Sequence, residues 1–280
     1  MSRILVMTDS TCDLPAEWVR RFDIRVVPTY VHFGLESLAD DGVHLTRPEF
    51  YRRLTSASAL PTTSAPPPGE VLEVMQRALA DADHVIGITA PMKLSGIFNT
   101  FYVAAEQTAP ERVTLIDSGV VSMGLGWQVV IAAEMAQQGA DPAEIKAAVL
   151  AIQPYTDVWA ALDTFEFVRR GGRVGWAKAM VGELFQIKPI IRLHDSEITS
   201  VTRVRTSQRA FQTLVNLARE AAPLERLAVM HSHYPDGGQR LLQALMDIHP
   251  DHEPVVVDAT PVLGVHVGPN ALGLGVVRKR

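Results

Sequence analysis

"HVIGITAPMKLSGIFNTFYVAAEQT", residues 84–108, holds the first decision about the fold. "HVIGITA" is apolar without strict alternation, which suits a strand covered on both faces in a parallel sheet. A short loop follows, and "SGIFNTFYVAAEQT" has a helical period. The same succession recurs to either side. "RILVMTD" (3–9) leads into "PAEWVRRF", "IRVVPTYVHF" (24–33) reads as a strand, "PPGEVLEVMQRALADA" as a helix, and "RVTLID" (112–117) leads into "MGLGWQVVIAAEMAQQG". Strands alternating with helices predict βαβ units around a mainly parallel sheet.

After about residue 155 the texture changes. "TDVWAAL" is strand-like, and "IKPIIRLHDSEITSVTRVRT" reads as a hairpin turned by "HDSE". A helix (207–221), a strand "RLAVMHS" (226–232), a helix after "PDGG" and a strand "PVVVD" (254–258) follow, and the glycine-rich "GVHVGPNALGLG" places His266 on an expected strand. The whole predicts an α/β protein of two domains, 1–155 with a mainly parallel sheet and 156–280 with a mixed α/β sheet layer.

The 280 residues are 47% hydrophobic and 20% charged, a globular composition with ample core. A formal net charge of −5 has no basic bias and argues against a nucleic-acid partner. The single cysteine, Cys12, excludes an intramolecular disulfide framework and fits a reducing cytoplasm. "MSRILVMTDS" is unlike a signal peptide, and no stretch approaches the ~18–20 apolar residues of a membrane span. A cytoplasmic location is expected.

Several stretches carry side chains suited to chemistry. "MTDSTCDLP" sets Asp9, Ser10 and Thr11 after the first strand, where open α/β sheets face their ligand crevice. Asp13 reads as the cap of the helix opening at Pro15. "ALPTTSAPPPGE" brings Thr62, Thr63 and Ser64 together ahead of a proline run, either as turn formers or as anion ligands. Ser95 and Gly96 open a helix, and Ser95 fits a cap or a ligand better than a nucleophile, because the G-x-S-x-G elbow is missing. His231 and His233 lack a third ligand at zinc-like spacing. In "TFEFVRRGGRVGWAKAMVGELFQIKPII" (164–191) two arginines flank a double glycine between apolar segments. No phosphate-loop pattern accompanies them, so Arg170 and Arg173 read as partners for carbonyls at a helix end, with the helical stripe beyond lying over something apolar.

Taken together, "TDSTCDLP" (8–15), "TTSAPP" (62–67), "LSGIFNT" (94–100), "IDSGVVSMGLG" (116–126), "RRGGRVG" (169–175) with "IKPII" (187–191), and "GVHVGPNALG" (264–273) resemble the DegV family of bacterial fatty-acid-binding proteins, which includes the FakB subunits of fatty acid kinases. They run in family order along almost the whole chain. The resemblance implies a non-catalytic, lipid-binding carrier in phospholipid metabolism, with no cofactor, no metal and a long-chain fatty acid (palmitate-like or oleate-like) in a buried pocket. It implies headgroup loops in 1–155 and a share of the acyl-chain pocket in 156–280. The carboxylate falls to Thr63, Ser95 and His266, with Thr62, Ser64 and Gly96 as further headgroup-loop positions. Ala65 stands where the family has Gln, and Asn270 where it has Gly. Ile97, Phe98, Met123, Leu125, Leu162, Phe165, Met180 and Leu184 are candidates for the acyl-chain pocket. The implied partner is a fatty acid kinase catalytic subunit, with Arg205 a candidate contact. The competing reading is a serine-dependent lipid or ester hydrolase using Ser95 and His266.

Overall fold

The computed structural model describes residues 2–57, 59–173, 187–250 and 252–280. Strands β1 (Ile4–Asp9), β2 (Arg25–Val27), β6 (His84–Thr89) and β7 (Val113–Asp117) form a four-stranded sheet in the order β2-β1-β6-β7. Its pairings are all parallel. Every residue of β1 is buried, and its side chains alternate between two cores. Ile4 and Val6 join Trp18 of helix α1 (Ala16–Arg21) and the long helix α5 (Met123–Gln137). Leu5 and Met7 meet Val71 and Met75 of α3 (Pro68–Asp81) and Phe101 of α4 (Ile97–Glu106). This double covering is why the strands read as continuous apolar runs.

The second sheet has six strands, ordered β10-β9-β8-β13-β11-β12: β8 (Thr156–Ala161), β9 (Lys188–His194), β10 (Glu197–Val204), β11 (Leu224–His231), β12 (Val255–Asp258) and β13 (Leu272–Arg278). It is mixed, with β11 and β12 parallel and the other pairs antiparallel. The β9–β10 hairpin turns at Asp195 and Ser196, both with positive φ, within the expected "HDSE". Trp159, Leu274 and Val276 pack under the helices Ser207–Ala221 and Pro235–Gln243. Val158 and Val277 face the other way, into the core shared with the first sheet. Between the sheets lies α5, buried almost all round from Met123 to Ala133, as an apolar helix without a polar stripe should be. Gly124 permits the close approach, since a Cβ there would lie 2.5 Å from Val158.

A third unit was not expected. The run 24–33 does not stay in one sheet. It breaks at Pro28, which lacks the amide a ladder needs. Its second half becomes β3 (Tyr30–Phe33), the centre of a three-stranded antiparallel sheet with β4 (Glu36–Ala39) and β5 (Thr62–Ser64). Val31 of this sheet packs with Phe50, Tyr51 and Leu54 of α2 (Arg47–Ser56) and with Val262 and Val265 of the helix Pro261–Val267. That helix is a second correction. His266 sits on a helix, not a strand, because Pro261 opens a helical turn and Gly268, at φ 73°, closes it. No helix among the described residues is long and apolar enough to cross a membrane.

Candidate functional site

In the four-stranded sheet the chain leaves β1 toward β2 on one side and meets β6 on the other, so the connection direction reverses beside β1. Ligand crevices of open α/β sheets lie outside the carboxyl ends of strands at such a point. A cavity of about 420 Å³ occurs there, bounded by the loops after β1, β6 and β7 and by one face of the six-stranded sheet. Its size falls in the small-molecule range of roughly 300–1,000 Å³. Its wall is apolar where Val158 and Ala160 of β8, Ile191 and Leu193 of β9, Ile198, Val168 and Ala271 face it.

The polar side chains collect from segments far apart in sequence. Thr63 comes from the centre of β5, Ser95 from the loop before α4, and His266 from the last turn of the helix Pro261–Val267, and all three line the cavity. Thr63 Oγ1 and His266 Nε2 share a hydrogen bond of 3.1 Å. The Ser95 hydroxyl accepts from the Ile97 amide at 3.3 Å, so it serves the start of α4 and faces the cavity at once. Burial, and secondarily the Arg173 charge, lower His266 to about 4, which keeps the ring neutral near pH 7. Its Nδ1 is buried without a hydrogen-bond partner among the described residues. Gly171 explains how the chain passes so close, because a Cβ there would lie 2.6 Å from that nitrogen.

The double glycine therefore does more than end a helix. Gly172 takes φ 72° to stop the helix Glu166–Gly171, and Arg173 donates to the Gly171 carbonyl at 2.8 Å, as expected for an arginine at a helix end. Arg170 instead pairs with Glu166 at 2.9 Å.

A second polar group surrounds the floor. Asp13 does not cap the helix at Pro15; its backbone is left-handed at φ 53° and its carboxylate turns inward. Asp13 Oδ1 accepts from the Thr260 amide at 2.8 Å, and Oδ2 accepts from the Ser122 hydroxyl. Asp9 accepts from the Ala90 amide at 2.9 Å and from the Thr11 amide and hydroxyl at 3.0 and 2.6 Å, tying β1 to the loop that carries Ser95. Ser10 and Thr29 hydroxyls share a 2.6 Å bond. Burial raises Asp9, and raises Asp13 to about 6 against the pull of Ser122 and the Thr260 amide.

The remaining expected positions divide. Ser64, Gly96 and Ile97 line the cavity, Ser64 also bonding His32 at 2.9 Å, whereas Thr62 is exposed and outside the lining. Ala65 lines it too, and Asn270 takes the left-handed conformation at φ 62°. Phe98, Met123, Leu125, Leu162 and Phe165 are not among the lining residues. Met123 and Leu125 belong to the core around α5, and Leu162 packs with Val168 and Ile191 behind the wall. Helical and strand periodicity cannot separate a core side chain from a cavity-lining one on the neighbouring position. Met180, Leu184 and the apolar stripe around them lie outside the described residues. Arg205 is exposed beyond the end of β10 and does not line the cavity. His266 Nε2 faces Thr63 rather than Ser95, so the base–nucleophile pair of a hydrolase is not formed. No group of three or more His, Cys, Asp or Glu suited to a metal occurs among the described residues.

Two sheets packed about a shared helix, with an apolar cavity at the strand ends closed by hydroxyls and an imidazole, define the class of two-sheet α/β proteins with an internal ligand cavity. The comparisons make this specific. The chain belongs to the DegV family, described as "Uncharacterised protein, DegV family", which it matches over residues 3–279. A DegV domain-containing protein of Deinococcus radiodurans is 32% identical over 279 residues, covering 97% of both chains. A solved DegV family protein from Thermus thermophilus, described by its fatty acid binding, is 31% identical with a TM-score of 0.90 and covers 99% of this chain and 100% of its own. Bacillus subtilis DegV, described as a fatty acid binding protein, is 26% identical at TM-score 0.88 over 100% of both chains.

Proposed function

We propose that this protein binds one long-chain fatty acid, palmitate-like or oleate-like, with its acyl chain in the cavity and its carboxylate at Thr63, Ser95 and His266. It then presents that carboxylate to a fatty acid kinase subunit for phosphorylation, and is not itself the catalyst. In this reading residues 1–155 form a domain that supplies Thr63 and Ser95, and 156–280 form a second that supplies the acyl wall and His266.

The observation that carries the reading is the convergence of three hydrogen-bonding side chains from distant segments on one cavity whose sheet wall is apolar. A buried carboxylate is very costly without several partners, and two hydroxyls with an imidazole supply them, with the Arg173 guanidinium also on the lining. Along the chain no polar grip is needed, because each buried methylene contributes about 0.8 kcal/mol. The Thermus thermophilus and Bacillus subtilis relatives, described as binding fatty acids, support it.

Native mass spectrometry of the purified protein tests the reading. One co-purifying fatty acid per chain is expected, and a protein that neither carries nor takes up oleate or palmitate would end it. With a fatty acid kinase subunit and ATP, the loaded protein should yield an acyl phosphate. Arg205→Ala should bind acid normally and be phosphorylated more slowly; unchanged turnover would remove Arg205 from the partner surface.

A further inference from the structure

The small sheet holds the helix Pro261–Val267 at two points. Near the helix's last turn, Thr63 of β5 bonds His266. At its first turn, Asp40, immediately after β4, accepts from the Val262 amide through Oδ2 at 3.0 Å. One grip comes from the outer strand β5 and the other from the residue just past the opposite outer strand β4, with β3 between them, and Val31 of β3 registers opposite Thr63. The Asp40 amide in turn donates to the Thr29 carbonyl at 2.8 Å, which anchors the carboxylate's own backbone.

We infer that Asp40 is a positioning residue for His266: by fastening the first turn of its helix to the sheet that carries Thr63, it fixes where the imidazole meets the ligand carboxylate. The inference rests on the proposed headgroup assignment. Asp40 is only 4% exposed and does not line the cavity, so it acts through the helix rather than on the ligand. Its burial has a physical cost that packing alone would not require. That burial pushes the carboxyl up to about 7, with the neighbouring Asp13 adding to the rise and Arg47 opposing it. Arg47 meanwhile donates from Nε to the Asp258 carbonyl at 2.9 Å, so charges from α2, from the loop after β1 and from the loop after β4 surround one helix start. Helices leave their first amides without intrahelical partners, and the buried Asp40 carboxyl oxygen that takes the Val262 amide fastens this first turn to the small sheet.

The test is a double-mutant cycle on oleate affinity, with His266 followed by NMR in the ligand-free protein. Asp40→Ala should weaken oleate binding about tenfold, as loss of a buried hydrogen bond that leaves its donor unpaired would. In a His266→Ala background the same change should have little further effect, because only coupled residues depart from additivity. Asp40→Asn keeps an acceptor and should restore most of the affinity. In the absence of oleate, Asp40→Ala should move the His266 ring resonances and raise its titration midpoint toward that of an ordinary histidine. Should Asp40→Ala fail to fold, Asp40→Ser, polar but shorter, takes its place in every arm. Additive losses together with an unmoved His266 resonance would overturn the inference. Should wild-type protein bind no oleate, the headgroup assignment fails by itself, and the NMR arm still decides whether Asp40 sets the ring.

Discussion

At the polar end of the cavity, three side chains arrive from three separate segments and two of them bond each other across 203 positions of sequence. At the wall, Val158, Ala160, Ile191 and Leu193 come from two neighbouring strands joined in one antiparallel register. The first region depends on a few directional bonds, each tied to the global fold. The second depends on a face of side chains whose neighbours share the load. The difference predicts that substitutions at the polar end are costly one at a time, while those at the wall are small and graded.

The largest effect that could break the comparison is at the headgroup. Thr63→Val and Ser95→Ala each remove one hydroxyl from a buried anion, and loss of such a bond costs about 1.5–3 kcal/mol, or roughly ten- to a hundredfold in affinity. Oleate titrations with both variants, checked for unchanged circular dichroism, measure it. Wild-type affinity in both would show that the carboxylate lies elsewhere. A smaller step sharpens the wall. Ile191→Val removes one methylene, about 0.8 kcal/mol, so palmitate binding should weaken about fourfold at most. A hundredfold loss would mean that the wall, too, works by single contacts.

The smallest effect concerns protons. In the free protein burial depresses His266 to about 4, and a carboxylate beside it must raise that value. Binding then takes up protons wherever the pH lies between the free and the bound values. Affinity should therefore rise as the pH falls below the bound value toward about 4, and the rise should vanish in His266→Gln. Isothermal titration in buffers of different ionisation enthalpy reads the proton count directly; no uptake by the wild type would place the imidazole away from the carboxylate.

Legibility in the sequence followed the range of the determining forces. The parallel strands were readable because burial on both faces leaves a local apolar signature, and the β9–β10 hairpin because its turn residues are adjacent. The three-stranded sheet was not, since its strands have only three or four residues and show no period. "VLGVHVG" looks like a strand, yet Pro261 and Gly268 make it a helix, and it was the resemblance that gave His266 a carboxylate to bind. Asp13 and Asp40 escaped for another reason. Their partners Thr260 and Val262 are 247 and 222 positions away, where no local pattern reaches. Asp13 looked like a helix cap because Asp just ahead of a first-turn proline is a common capping residue.

From Met123 to Val130 α5 has no face turned to water, every residue there being buried, and Trp127 donates to the Gly275 carbonyl of the opposite sheet at 3.0 Å. The two sheets are thus bolted through a common strut. They cannot part to admit a bulkier guest without tearing a close-packed seam, which interiors resist strongly. On the side formed by β8 and β9 the cavity behaves as a rule with fixed stops rather than an elastic sleeve. If the proposed acyl chain lies in this cavity, its length preference on that side should follow side-chain volumes such as those of Val158 and Ile191.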